Sequence, residues 1–258
     1  MTDADPPAGE GAETDVELAL RLATQAGLGL LEVRRRLVES GAPPWQVMDG
    51  GDTASQRFLA DELGRLRPDD AVLSEEGLED PRRFGGGRVW IIDPLDGTRE
   101  FGELGRPDWA VHVALWAGAA FVAAAVSLPA MGLVFGTDPP PVVPPSARQR
   151  PRIVTSRSRA PYAAAVVAHA LDAEPVRLGS AGAKAMSVVS GETDIYVHDG
   201  GMYQWDSAAP AAVALAAGLH ASRIDGSPLM YNHRDPWLPD FIVCRTEWAQ
   251  PVLDVLWG

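Results

Sequence analysis

The stretch Val89-Trp90-Ile91-Ile92-Asp93-Pro94-Leu95-Asp96-Gly97-Thr98 constrains this chain more than any other segment. Its apolar start reads as a buried strand. Proline cannot donate to a sheet ladder, so the strand should stop at Asp93-Pro94. Two carboxylates, Asp93 and Asp96, then bracket the break, followed by a glycine and a threonine. A sheet that delivers two carboxylates to its rim suits a hard divalent cation such as Mg²⁺. Gly97 permits close backbone approach, and the Thr98 hydroxyl can hold a water or cap the next helix. Taken alone, the segment also fits an ordinary turn, because Asp, Pro and Gly are common turn residues.

Two further segments place carboxylates in comparable settings. Ser74-Glu75-Glu76 follows the apolar run Ala71-Val72-Leu73, and Trp205-Asp206-Ser207-Ala208-Ala209 sets an aspartate ahead of an alanine-rich helix. In order and spacing, Glu75-Glu76, Asp93 to Thr98 and Trp205 to Ala209 resemble the three signatures of the inositol monophosphatase superfamily of Mg²⁺-dependent, lithium-sensitive phosphatases. The resemblance covers about residues 15 to 250. It implies an α+β / α/β layered sandwich with alternating helix and sheet layers and the active site between its halves. It also assigns roles. Glu75, Asp93 and the Leu95 carbonyl should hold one Mg²⁺, and Asp93, Asp96 and Asp206 a second, with Glu75 holding a weaker third. Thr98, with Glu75 or Asp52, should orient the attacking water. The amides of Gly97 and Thr98 should bind phosphate oxygens.

The last signature departs from the family in one respect. Pro210 stands where a small residue, commonly glycine, is usual. With Asp206 as the N-cap, Pro210 is the fourth helical residue and lacks the amide for the first helical bond, so the helix should start later or bend.

The rest of the chain supplies the frame. Residues 1 to 13, rich in Pro, Gly, Ala, Asp and Glu, read as a disordered tail. Thr14-x-x-Glu17 reads as a capping box, opening a helix that Gly41 and Pro43-Pro44 should stop. Asp49-Gly50-Gly51-Asp52 reads as a turn into a second helix over 53–66. Asp52 then has two readings: a helix cap at that entrance, or the family aspartate that pairs with the threonine of the central motif. Residues 113 to 137 carry no charge, but Pro129 and three glycines break the run, which favours an antiparallel meander over a membrane span. His112 reads as a sheet histidine because no partner spacing accompanies it. Five prolines within 138–145 mark a boundary, giving halves 14–145 and 146–258. Beyond it, strands and helices alternate in an α/β pattern.

The net charge of −13 disfavours nucleic-acid and anionic-membrane partners. It does not exclude a phosphorylated substrate, since bound cations can reverse the local field. The single cysteine, Cys244, lies in an apolar run and reads as a small buried hydrophobe. The first residues lack the pattern of a signal peptide, so a cytoplasmic protein is expected.

Which phosphate ester is taken also follows from resemblance. Arg99-Glu100-Phe101 and Gly179-Ser180-Ala181-Gly182-Ala183-Lys184 are similar to patterns of the 3′(2′),5′-bisphosphate nucleotidases, closest to the actinobacterial CysQ type. These enzymes remove the 3′-phosphate of 3′-phosphoadenosine 5′-phosphate, with its phosphosulfate analogue as a second candidate substrate, and leave AMP during sulfate assimilation. Ser180 and Lys184 are then expected at the substrate, as are Arg157, His198 and Asp206. Lys184 would pair with a second phosphate; otherwise it is a solvated helix lysine. Tyr203 or Trp205 can stack on adenine or serve as core aromatics. Rival readings are an inositol-1-phosphatase, a fructose-1,6-bisphosphatase, and a noncatalytic nucleotide or metal sensor. Homodimers are common in the superfamily, so a homodimer is an expectation by analogy.

Overall fold

The computed structural model describes residues 13–158 and 160–257. The predicted tail falls on residues 1–12, outside them, and Glu13 is bound to Arg21 at 2.7 Å.

Helix α1 (Asp15–Glu39) opens with the expected capping box of Thr14 and Glu17. Helix α2 corrects the sequence reading. It spans Pro44–Leu66, so Asp52 lies well inside it and not at its entrance. Pro44 starts the helix where it was expected only to stop the previous one: proline at the first helical position loses no hydrogen bond and has its φ preset. Gly50 and Gly51 are not turn residues. A Cβ on Gly50 would lie 2.6 Å from Leu37, and one on Gly51 would lie 2.5 Å from the Phe101 ring. They let α2 approach its neighbours closely.

The first sheet has the order β1-β2-β3-β4-β5: β1 (Ala71–Ser74), β2 (Val89–Asp96), β3 (Ala110–Ala117), β4 (Ala120–Leu128) and β5 (Leu133–Gly136). Strands β1 and β2 are parallel, and β3 to β5 form the expected meander. Strand β2 does not end at Asp93. It continues through Pro94 to Asp96, with a register shift between the two aspartates. Proline is tolerated there because the ladder is already interrupted. Short helix α3 (Thr98–Gly102) follows.

The second sheet has the order β10-β12-β8-β6-β7: β6 (Arg152–Ser156), β7 (Glu174–Leu178), β8 (Ile195–His198), β10 (His220–Ser222) and β12 (Phe241–Cys244). A two-strand ribbon pairs β9 (Met202–Tyr203) with β11 (Trp237–Leu238). The helices are α4 (Tyr162–Ala170), α5 (Ala181–Val189), α6 (Gln204–Ala216) and α7 (Thr246–Trp257).

Alternation along the strands builds three cores. Trp90, Ile92, Val111 and Val113 face α1 and α2. Val89, Ile91 and Ala114 face the other way, toward α5, α6 and the inner side of the second sheet at Tyr196 and Phe241. Ile153, Ile195 and Ile242 pack against α4 and α7. Among the described residues the layers therefore run helix, sheet, helix, sheet, helix. Cys244 is fully buried as expected, and burial pushes its thiol up to about 12.

Candidate active site

Strand β2 carries Asp93 and Asp96 into the middle layer, where α6 brings Asp206 to meet them. One carboxylate oxygen from each lies within 4.8 Å of the others. Asp93 is fully buried; its Oδ1 accepts from the Leu95 amide at 3.1 Å, and its Oδ2 has no partner. An orphaned, buried carboxylate oxygen is costly unless a cation or proton meets it. Burial first, then repulsion from Asp96, Glu75 and Asp206, raises the Asp93 pKa well above the usual value. Burial and Asp96 likewise raise Asp206 to about 6. This donor set fits a hard divalent cation.

Asp96 is held differently. Its oxygens accept from the amides of Ala181 at 3.1 Å and Gly182 at 2.6 Å, the first turn of α5, and His112 Nε2 lies 3.2 Å from Oδ2. Burial alone would raise its pKa, but His112, Lys184 and the Gly182 amide outweigh that and keep it low. Sequence reading took His112 for a plain sheet histidine. It is one, paired with Asp93 across β2 and β3, yet the same register places it against the acid cluster. No local signal marks it.

Asp206 is not the helix cap. Helix α6 begins earlier, at Gln204, and the Asp206 carboxylate accepts from the Tyr203 amide at 2.6 Å. Pro210 therefore sits inside the helix, where the amide it lacks would have bonded the Asp206 carbonyl. It neither delays the start nor moves the Asp206 side chain from the cluster.

The remaining predicted residues are placed as follows. Glu75 stands exposed at the end of β1 on a cavity of about 350 Å³ that Asp96, Gly97 and Asp206 also line. Partial desolvation, then the charges of Asp206 and Asp96, raises its pKa to about 7. Thr98 Oγ1 reaches both Asp52 Oδ1 at 3.3 Å and the Leu95 carbonyl at 3.1 Å, so Asp52 meets the central threonine from within α2. Burial, then Glu76, pushes Asp52 up to about 6. Gly97 has φ +86°, and a Cβ there would lie 2.8 Å from Ser180, which explains the glycine. Ser180 lines the cavity and caps α5, accepting from the Ala183 amide at 2.9 Å.

Lys184 is no solvated surface lysine. It is buried, its ammonium donates to the Gly179 and Ser180 carbonyls, and burial lowers its pKa against the pull of Asp96 and Glu100. Arg157 is bound to Glu100 at 2.8 Å and Glu103 at 2.7 Å. His198 Nε2 donates to the Gly201 carbonyl at 2.9 Å, and the ring lines the cavity. Trp237, which sequence reading did not single out, lines it too.

Comparison with known proteins agrees with this architecture. A sequence profile of the inositol monophosphatase family matches residues 13–251. A 3′-phosphoadenosine 5′-phosphate phosphatase of Mycobacterium leprae is 49% identical over 255 residues, covering 94% of this chain and 93% of the relative. The Mycobacterium tuberculosis protein of the same name is 49% identical over 236 residues, covering 88% and 87%. An inositol monophosphatase of Staphylococcus aureus superposes with a TM-score of 0.76 at 20% identity, covering 91% of this chain and 92% of that one, and so supports the fold alone. The order of the acidic motifs, the layered fold and the profile match agree: the chain is a member of the inositol monophosphatase family.

Proposed function

We propose that this protein is a Mg²⁺-dependent phosphatase that removes the 3′-phosphate of 3′-phosphoadenosine 5′-phosphate, giving AMP and inorganic phosphate. The observation that carries the substrate is the 49% identity, over nearly the full length of both chains, to a relative named for that activity. The orphaned oxygen of Asp93 within the Asp93, Asp96 and Asp206 cluster supports the metal requirement.

Two or three Mg²⁺ ions would be held by Glu75, Asp93, the Leu95 carbonyl, Asp96 and Asp206. When bound they neutralise phosphoryl oxygens and lower the pKa of water. The protein does the rest. Thr98, with its hydroxyl proton directed to Asp52, accepts from and orients the attacking water, and Asp52 or Glu75 takes up the water's proton. The amides of Gly97 and Thr98 receive phosphate oxygens. The water oxygen bonds to phosphorus as the ester P–O bond breaks, and the leaving ribose oxygen takes a proton from a solvent water in the open cavity, which the proton released from the carboxylate to solvent replaces. Ser180 and His198 contact the rest of the nucleotide from the cavity wall. Two of the three N–H groups of Lys184 are used on carbonyls, and the third serves a second phosphate. Arg157 contributes through Glu100, which it holds beside Gly179.

Phosphate release from 3′-phosphoadenosine 5′-phosphate, inositol 1-phosphate and fructose 1,6-bisphosphate, measured side by side with Mg²⁺ and with chelator, tests the reading. Preference for the nucleotide, abolished by chelator, is expected. Preference for a sugar or inositol phosphate would overturn the substrate and keep the metal chemistry. No turnover by folded, Mg²⁺-loaded protein would turn the reading toward a sensor.

A further inference from the structure

The cavity has a second wall that the phosphate chemistry does not use. Tyr203 and Trp237 both line it, and both are exposed, at 42% and 46%. Large aromatics left open beside a buried acid cluster contribute little to the core and call for another use. Their rings meet nearly at right angles, 82° at 5.5 Å, and form an open corner. Behind Tyr203, Trp205 stacks in parallel at 4.7 Å and is itself buried. Trp205 is therefore backing, and Trp237 is the ring with a surface to offer.

The corner is held rigidly. Gly201 adopts φ +77°, and a Cβ there would lie 1.9 Å from the Trp237 ring, so only glycine admits the indole. The segment ahead of Trp237 is tied on both sides. Gln204, fully buried, bonds Pro236 through its amide and Asp235 and Asn232 through its side chain. Arg83, from the N-terminal half, donates to the His233 carbonyl at 2.8 Å and the Arg234 carbonyl at 2.9 Å. The Tyr203 amide bonds Asp206, so the aromatic corner and the acid cluster share one turn of chain. His198 adds polarity to the same wall. Its Nε2 donates to Gly201, which leaves Nδ1 as an acceptor, and that atom has no partner.

We propose that Trp237, with Tyr203 at its side, is the base-stacking surface of this site and sets its preference for a phosphorylated nucleotide over a phosphorylated polyol. A flat heteroaromatic base lies on the indole while its phosphate end reaches the carboxylates. An indole fixed in advance loses little freedom when the base arrives. The assignment rests on the nucleotidase reading above for its substrate, and the test separates the two.

Wild type, Trp237→Phe and Trp237→Leu are compared with Mg²⁺ present. Leucine keeps apolar packing on Gly201 and removes the stacking face; phenylalanine keeps both. Steady-state kinetics on 3′-phosphoadenosine 5′-phosphate and inositol 1-phosphate give KM and kcat for each, and calorimetry gives the Kd of AMP. Trp237→Leu should raise the ratio of the nucleotide KM to the inositol phosphate KM by about 10- to 100-fold, acting on KM and not kcat, and should weaken AMP by a similar factor. Trp237→Phe should stay near wild type. Equal effects on both substrates, or an unchanged AMP affinity in Trp237→Leu, would overturn the assignment. If wild type fails to hydrolyse the nucleotide, the nucleotidase reading falls. AMP binding lost in Trp237→Leu would then still support the stacking surface, and no AMP binding to wild type would remove it.

Discussion

His112 Nε2 lies 3.2 Å from Asp96 Oδ2, with His112 fully buried and Asp96 nearly so at the floor of the cavity. The other ring nitrogen faces the Trp205 carbonyl at 3.0 Å, and a carbonyl only accepts, so Nδ1 carries a proton. Nε2 faces the Asp96 carboxylate as a close charge contact. Burial would depress the imidazole, but the bond to Asp96 and its charge outweigh burial and raise the pKa. His112 thus joins β2, which carries Asp96, to α6, which carries Asp206.

His112→Leu should therefore lower kcat/KM by about 10- to 100-fold at saturating Mg²⁺, the usual cost of losing a partner that orients a ligand. Gly182→Ala should give a related defect, because its Cβ would lie 2.2 Å from His112 Nε2. Placed together, the two substitutions should fall short of additive, since both act through one contact. Additive losses would show that His112 does not work through Asp96.

Asp93 separates function from stability. Asp93→Asn removes a charge that burial and three neighbouring carboxylates oppose. The metal-free variant should melt higher than metal-free wild type near neutral pH, by about 2–4 °C for each kcal/mol of relieved repulsion. It should also lose Mg²⁺-dependent turnover and the Mg²⁺-induced shift in Tm. A lower Tm without metal would contradict the strain assigned to this cluster.

How far the sequence exposed this arrangement depends on where each signal resides. Asp93 and Asp96 stand out because strand pattern and acid spacing are local. The meander after β2 is legible because Gly118 and Pro129 punctuate it. Asp206 was reachable only through resemblance, since its partners lie more than a hundred residues away. Other meanings come from packing. Gly50-Gly51 is written like a turn and works as a close approach, and Pro44 reads as a stop and serves as a start. His112 and Trp237 acquire roles only from strand register and the β9–β11 ribbon, which no single segment encodes.

The carboxylates also fix a pH dependence. Folding raises Glu75 to about 7 and Asp52 and Asp206 to about 6, from ordinary values near 4. The metal-free folded state then binds more protons than the unfolded chain. Its stabilisation by those protons is complete at pH below the ordinary values and disappears as pH rises through 6 to 7. Ionised carboxylates are also what a cation binds. The Tm of metal-free protein should fall from about pH 4 to about pH 7, and the Mg²⁺-induced rise in Tm should grow over the same window. Thermal melts in chelator and in excess Mg²⁺ check both slopes. A Mg²⁺ shift independent of pH would mean these groups do not hold the metal.

Lys184 carries the last prediction because its ammonium serves two ends. Two N–H groups hold the Gly179 and Ser180 carbonyls at the entrance to α5, whose first amides hold Asp96. Lys184→Met should cost about 1.5–3 kcal/mol of stability through those charge-assisted bonds. It should also slow every substrate through the loosened Asp96. If the third N–H meets a second phosphate, a bisphosphate substrate loses more than a monophosphate does. The KM for 3′-phosphoadenosine 5′-phosphate should then rise about tenfold beyond any change for inositol 1-phosphate, the worth of one hydrogen bond to a charged group. Equal losses on both substrates would assign Lys184 to the support of α5 alone and leave the second phosphate to another cation.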